Sequence, residues 1–396
     1  MSRIRVALGM ERNVMVLGAS LFLLGLGEEL WQAYLPKYLV ALGASGLVVG
    51  LFASMKDLLD GLYQYPGGWL NDHLGRKRSL LLFTALAGAG YAVYALAGHW
   101  AWLFLGLWLV MAWKAGAFPT TFAVIGESLP PGRRAIAFSV QSILVRLPRV
   151  IGAPLGGALI AAFGLLHGAR IGFAITVAIA MLVLVVQRFA YREPPRPQPA
   201  PAPAAPLRLT APLRRLLLAD CLVRIGEGIA AAFIVLYVTG PLGRSIMAYG
   251  ALYALQMSVA IASYLPAGKL ADRTGRGPLV ALTFAFFALF PLAVRFAHTD
   301  ALLIGAFVIG GLKEIGEPAR KSLIVDGADP ARRGRVVGFY YTIRNLLVVP
   351  AGVVGGLLWQ VAPRWPLEIA FAVGVLGMLV FMVTTMRRAD DEVGHA

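Results

Sequence analysis

The chain has 396 residues, 59% apolar and only 14% charged, where soluble domains carry about 25% charged residues. A mean hydropathy of +0.73 excludes a water-soluble globule, and at roughly 20 to 25 residues per crossing the length accommodates about twelve spans, not one anchor on a soluble enzyme. The net charge of +16 would suggest nucleic acid in a soluble chain, but in a membrane chain its meaning depends on where the charges sit.

In chain order the apolar runs predict spans at 14–41, 46–70, 79–98, 101–128, 135–163 and 168–190, then at 213–240, 245–270, 278–297, 300–326, 335–361 and 366–387. The first run follows a short basic segment, contains Glu28 and Glu29 and is too long for a cleaved signal peptide, so it reads as span 1. Between spans 6 and 7 lies EPPRPQPAPAPAAP, residues 193–206, whose prolines favour an extended linker over a helix. The expected organisation is a six-helix bundle over 1–190, a cytoplasmic proline-rich linker over 191–212, a second six-helix bundle over 213–388 and a tail over 389–396. This is an all-α membrane protein of twelve transmembrane helices in two pseudo-symmetric bundles.

Lys and Arg set the orientation. The termini and the ends of even-numbered spans hold about 22 of them, including Arg76-Lys77-Arg78, Arg133-Arg134 and Arg332-Arg333. The opposite ends offer Arg170, Arg244, Arg295 and Arg364. The positive-inside rule therefore places both termini and the linker in the cytoplasm of a multi-pass protein of the cell or inner membrane. The +16 is a topology feature, and no nucleic-acid partner is expected.

The halves repeat at one offset. Gly27-Glu28 recurs as Gly226-Glu227, Lys114 and Pro119 as Lys313 and Pro318, and Gly156-Gly157 as Gly355-Gly356, each 199 residues on. Such a duplication predicts a binding site near the midplane between the halves.

Gly68-Trp-Leu-Asn-Asp72-His73-Leu-Gly75-Arg76-Lys77-Arg78 follows span 2, and Gly268-Lys-Leu-Ala-Asp272-Arg273-Thr-Gly275-Arg276 follows span 8. This pair resembles the GxxxD(R/K)xG(R/K)(R/K) loop of the major facilitator superfamily, and the resemblance covers the whole chain. His73 and Gly277 depart from the pattern. The resemblance implies a drug-efflux-like secondary transporter in which these loops clip the halves together on the cytoplasmic side. Glu127 with Arg134, and Asp326 with Arg335, look like further members of that gate. Gly152-Ala-Pro154-Leu-Gly156-Gly157 in span 5 resembles the glycine-proline motif of proton-driven antiporters but is one residue short; ordinary small-residue packing is the other reading.

Ten basic and ten acidic residues fall inside the spans, where a charge costs roughly 2.5 to 3.5 kcal/mol or more unless it meets a partner or a cavity. Within-helix spacing pairs Lys56 with Asp60, Arg224 with Asp220 and Glu227, and Lys313 with Glu317, which also reaches Arg320 and Lys321. Glu28, Asp57, Glu227 and Glu314 are candidates for proton coupling. The family's cavity lies along spans 1, 4, 7 and 10. Candidates for substrate contact are Glu29, Trp31, Tyr34, Lys114, Phe118, Arg224, Lys313 and Glu317 on those spans, with Arg146 and Arg149 of span 5 as a site for an anionic group and Tyr341 and Arg344 of span 11; the aromatic members suit an amphipathic molecule.

Other classes are weakened by what the chain lacks. A lone cysteine, Cys221, allows no intramolecular disulfide or cysteine metal cluster. The five histidines show no HExxH or metal spacing, and no P-loop points to ATP. The expectation is a non-enzyme without cofactor or metal, working as a monomer in the bilayer on a small molecule and protons. Efflux by proton antiport leads. Proton-coupled uptake of an organic anion, with Lys114, Arg146 and Arg149 as counter-charge, and a non-transporting sensor or assembly factor are the alternatives.

Overall fold

A computed structural model describes residues 12–113, 131–193, 209–327 and 333–386, and among these every regular element is helical. In lipid the backbone must satisfy its own hydrogen bonds, which helices do segment by segment. The elements are α1 (Arg12–Glu29), a 3-10 turn (Gln32–Tyr34), α2 (Leu35–Ala41), α3 (Gly46–Leu74), α4 (Arg76–Leu96), α5 (Trp100–Trp113), α6 (Pro131–Phe163) and α7 (Leu165–Ala190). After the linker come α8 (Ala211–Ala231), α9 (Phe233–Thr239), α10 (Ile246–Thr274), α11 (Arg276–Arg295), α12 (Asp300–Leu312), α13 (Glu317–Asp326), α14 (Arg333–Val348), α15 (Pro350–Val361) and α16 (Trp365–Phe381).

These segments fall into the twelve expected stretches. Among the described residues, six helical stretches, one of them α14 with α15, are long and apolar enough to cross a membrane, and the bent pair α8 and α9 makes a seventh. Their outward faces carry large apolar side chains such as Trp102, Met181, Leu182 and Phe189, a liability in water and a match for lipid.

Two compact units emerge. Unit 1 comprises residues 1–43, 59–200 and 246–254; unit 2 comprises 44–58, 201–245 and 255–396. The same helix pairs build each: α4 with α7 and α11 with α16, α1 with α7 and α8 with α16, α1 with α6 and α8 with α15. Glycines set the closest approaches. A Cβ on Gly156 would strike the Leu30 carbonyl, and one on Gly355 would strike the carbonyl of Ile229, so a contact in unit 1 recurs in unit 2 with both partners shifted by 199 residues.

The first turns of α3 and α10 do not cluster with the expected halves. Residues 44–58 belong to unit 2, where Gly46 and Gly50 lie against the backbone of Gly356 and Gly352. Residues 246–254 belong to unit 1, where Gly250 lies against Ala153 and the Tyr34 hydroxyl. Glycines on these turns let backbone meet backbone, which outweighs position in the chain.

The joint between α3 and α4 is one residue, Gly75, at φ +84°, and its counterpart between α10 and α11 is Gly275 at φ +81°. A side chain is strained there, which explains the glycine in both copies of the repeated loop.

Candidate functional site

Three spans carrying the candidate acids are broken rather than continuous. Span 1 leaves the α-helix after Glu29 and resumes as α2 beyond a 3-10 turn. Pro36, in the first turn of α2, has no N–H and crowds the preceding turn, so the helix cannot run through. Span 10 stops at Leu312 and restarts at Glu317, with Pro318 in the restarted first turn; the Gly316 amide donates instead to Thr283 Oγ1 at 2.6 Å. Span 7 bends by 41° between α8 and α9, just past Glu227, without a proline. The breaks overturn the continuous helices expected over 14–41, 213–240 and 300–326.

In unit 1, Glu28 is buried at the end of α1 and accepts a 2.6 Å hydrogen bond from the Tyr91 hydroxyl on α4. The lost helical bond beyond it is replaced from α7, where Thr176 donates to the Gly27 carbonyl at 2.8 Å and accepts from the Trp31 indole at 3.1 Å. Trp31 packs among Tyr91, Tyr94 and Phe173, with centroids 5.0 to 6.0 Å away. Tyr34 is buried and donates to the Ala153 carbonyl at 2.5 Å. Glu29 takes Arg149 Nε at 3.1 Å across to α6. Arg146, one turn earlier on α6, is half-buried.

Unit 2 holds a larger charge network. Glu227 on α8 bridges Arg224, one turn away, and Lys313, whose Nζ is 2.6 Å from Glu227 Oε1 and 4.8 Å from the Phe287 ring centroid. Arg320 on α13 is wholly buried between Asp220 and Glu317, the latter at 2.5 Å. Asp220 also accepts from the Tyr340 hydroxyl at 3.1 Å, and Arg344 lies 3.7 Å from it. Tyr341 underlies the Arg344 guanidinium at 4.6 Å.

Two expected within-helix pairs are replaced. Lys313 does not meet Glu317, because the break between them removes the i,i+4 geometry and turns Lys313 toward Glu227. Asp220 is met by Arg320 and Arg344 rather than by Arg224, whose guanidinium goes to Glu227. Arg224 with Glu227, and Glu317 with Arg320 and Lys321, pair as expected. Asp57 on α3 and Glu314 at the span 10 break are half-buried.

At the ends of α4 and α11 the repeated loop shows further contacts. The amides of Arg76 and Lys77 donate to the Glu193 carboxylate at 2.8 and 3.0 Å, an acid cap on a helix N-terminus that the sequence reading did not single out. Arg276 pairs with Asp326. A model of the Major Facilitator Superfamily matches this chain twice, over residues 17–223 and 216–395. The chain belongs to the major facilitator superfamily.

Relatives within the superfamily narrow the likeness. The chain is 25% identical over 367 residues to multidrug resistance protein MdtG of Escherichia fergusonii, covering 89% of each, and 25% identical over 366 residues to MdtG of Proteus mirabilis, covering 88% of this chain and 89% of that one. Among solved structures it resembles a point mutant of the nucleoside transporter NupG (TM-score 0.79, 13% identity, 94% of this chain and 99% of that). It also resembles a bacterial homologue of the lysosomal transporter Spinster (TM-score 0.70, 17% identity, 94% and 95%). These structures share the fold. The protein is a non-enzymatic, multi-pass transporter of the superfamily.

Of the remaining candidate positions, Lys114, Phe118 and Glu127 lie outside the described residues, as do the side chains of Asp72, Arg134, Asp272, Arg273 and Arg335 and the surroundings of Gly68 and Gly268. Tyr91 was missed because a hydroxyl in an apolar run carries no spacing pattern, while Tyr340, one of the aromatics that accompany the charges in the sequence, donates to Asp220. The one trace of Tyr91 is that its repeat partner is Phe290, the ring 5.7 Å from Lys313 Nζ.

Proposed function

We propose that this transporter exports amphipathic organic molecules in exchange for protons, as a monomer with both termini in the cytoplasm. The observation that carries the reading is Glu28: a buried carboxyl at a break in span 1, hydrogen-bonded to a phenol. A phenol hydroxyl both donates and accepts, so Tyr91 can hold Glu28 as a carboxylate and, after rotation of its O–H, as the protonated acid. Glu227, its repeat partner, is matched by Arg224 and Lys313 and serves structure in the resting protein. Broken helices at a midplane site are the usual lining of a transporter cavity. Likeness to multidrug resistance proteins supports efflux over uptake, and the asymmetry of positive charge supports the orientation.

The test is flux of an aromatic dye from proteoliposomes under an imposed pH gradient. Wild-type protein moves dye against its gradient when the pH gradient favours antiport, and Glu28→Gln permits only downhill movement. Flux indifferent to the pH gradient in wild-type protein would sink proton coupling.

A further inference from the structure

We infer that Arg344 is the subsite for a carboxylate carried by the transported molecule, so that amphipathic organic anions are among its ligands. This rests on the export reading for the existence of a transported molecule, and takes its evidence from unit 2 alone.

The contacts of the network supply the first observation. Among the described residues they join Arg224, Lys313, Arg320, Lys321 and Arg344 to Asp220, Glu227 and Glu317, and Glu314, half-buried at the span 10 break, has contacts of its own. In a membrane interior a cation is costly where its hydrogen-bonding groups are poorly matched, unless an anion arrives to match them.

Geometry identifies the cation whose groups are most poorly matched. The Asp220 carboxylate, to which Arg344 points, already receives Arg320 on one oxygen and the Tyr340 hydroxyl on the other. Arg344 stands 3.7 Å away, and its Nη1 makes no hydrogen bond. The other edge of the guanidinium, Nε and Nη2, is the fork that takes a carboxylate with two parallel bonds. It is filled here by a single neutral oxygen, Asn345 Oδ1, at 3.4 and 3.1 Å. The Tyr341 ring at 4.6 Å holds the plane of the fork in place. An amide oxygen on a carboxylate-shaped fork is a placeholder: a ligand carboxylate offers two oxygens and a full charge where Asn345 offers one oxygen and none. Arg224 stands in the same electrostatic neighbourhood with its side chain 27% exposed, so a second cation faces the incoming anion. The rings beside the network, Phe287 and Tyr341, suit the apolar part of such a molecule.

The experiment is equilibrium binding to the purified full-length protein, read by intrinsic fluorescence, with three probes: naphthylacetate, its methyl ester and naphthylmethylamine. Wild-type protein binds the carboxylate at least about tenfold more tightly than the ester, the worth of charge-assisted hydrogen bonds to arginine. Arg344→Gln abolishes that preference. Asn345→Asp, which keeps Arg344 and fills its fork with a fixed carboxylate, also abolishes it and guards against misfolding of the first variant. Equal binding of acid and ester, tighter binding of the amine, or a preference that survives both substitutions would overturn the assignment. Proton coupling plays no part in this readout, so its failure in flux assays leaves the binding result standing.

Discussion

Lys313 Nζ sits 2.6 Å from Glu227 Oε1, a pair that exists because span 10 gives up its helix between Leu312 and Glu317. An intact helix would have set Lys313 beside Glu317. The break instead sends it to α8 and leaves Glu317 for Arg320 and Lys321, so each acid acquires two cations. The proline that stops the helix thereby distributes the buried charge.

Removing one partner should show this. Lys313→Met leaves Glu227 with Arg224 alone, and Glu227→Gln leaves Lys313 over Phe287 and Phe290 without its carboxylate. Each single change is expected to cost about 3 to 5 kcal/mol, the penalty for breaking a buried pair, while the Lys313→Met, Glu227→Gln double variant recovers much of it. Thermal unfolding of the four proteins in one detergent gives the cycle, and additive losses would contradict a coupled pair.

Tyr91 and Glu28 make a separate prediction. Tyr91→Phe removes the 2.6 Å bond but keeps the carboxyl, so gradient-driven flux persists with a displaced pH profile. Glu28→Gln should remove the dependence on pH altogether. An unmoved profile in Tyr91→Phe would separate Tyr91 from the proton step.

Much of this arrangement was legible in the sequence, and the limits are physical. Twelve stretches, the repeat and the one-residue joints at Gly75 and Gly275 follow from hydropathy, offset and glycine stereochemistry, all local properties. The partners of the charges are not local. Pro36 and Pro318 were visible, yet apolar residues continue past both, and the i,i+4 rule that paired Lys313 with Glu317 assumes a helix that does not stop. Asp220 pairs with Arg320, 100 residues away, and Glu28 with Tyr91 on another span. Only tertiary packing chooses among cations that are equally available in composition.

Glu193 tests the joint after α3. Its carboxylate accepts from the amides of Arg76 and Lys77, and Glu193→Ala should cost about 1 kcal/mol, the usual worth of an N-terminal cap. Hydrogen exchange at those two amides should rise while the middle of α4 stays protected. If both regions exchange faster together, Glu193 holds the helix as a whole rather than its end.

The duplicated close approach offers the sharpest structural test. Gly156 meets the Leu30 carbonyl and Gly355 the carbonyl of Ile229, and in both places backbone blocks any added atom. Backbone yields less than a flexible side chain, so Gly156→Ala and Gly355→Ala should each destabilise by about 1 to 3 kcal/mol through overpacking. Gly305→Ala, on the same kind of span with open space at its Cβ position, should be neutral or slightly stabilising through helix propensity. Because the two contacts lie in different units, the losses in Gly156→Ala and Gly355→Ala should add. A double variant no less stable than either single one would mean that one contact alone limits the stability of the transporter.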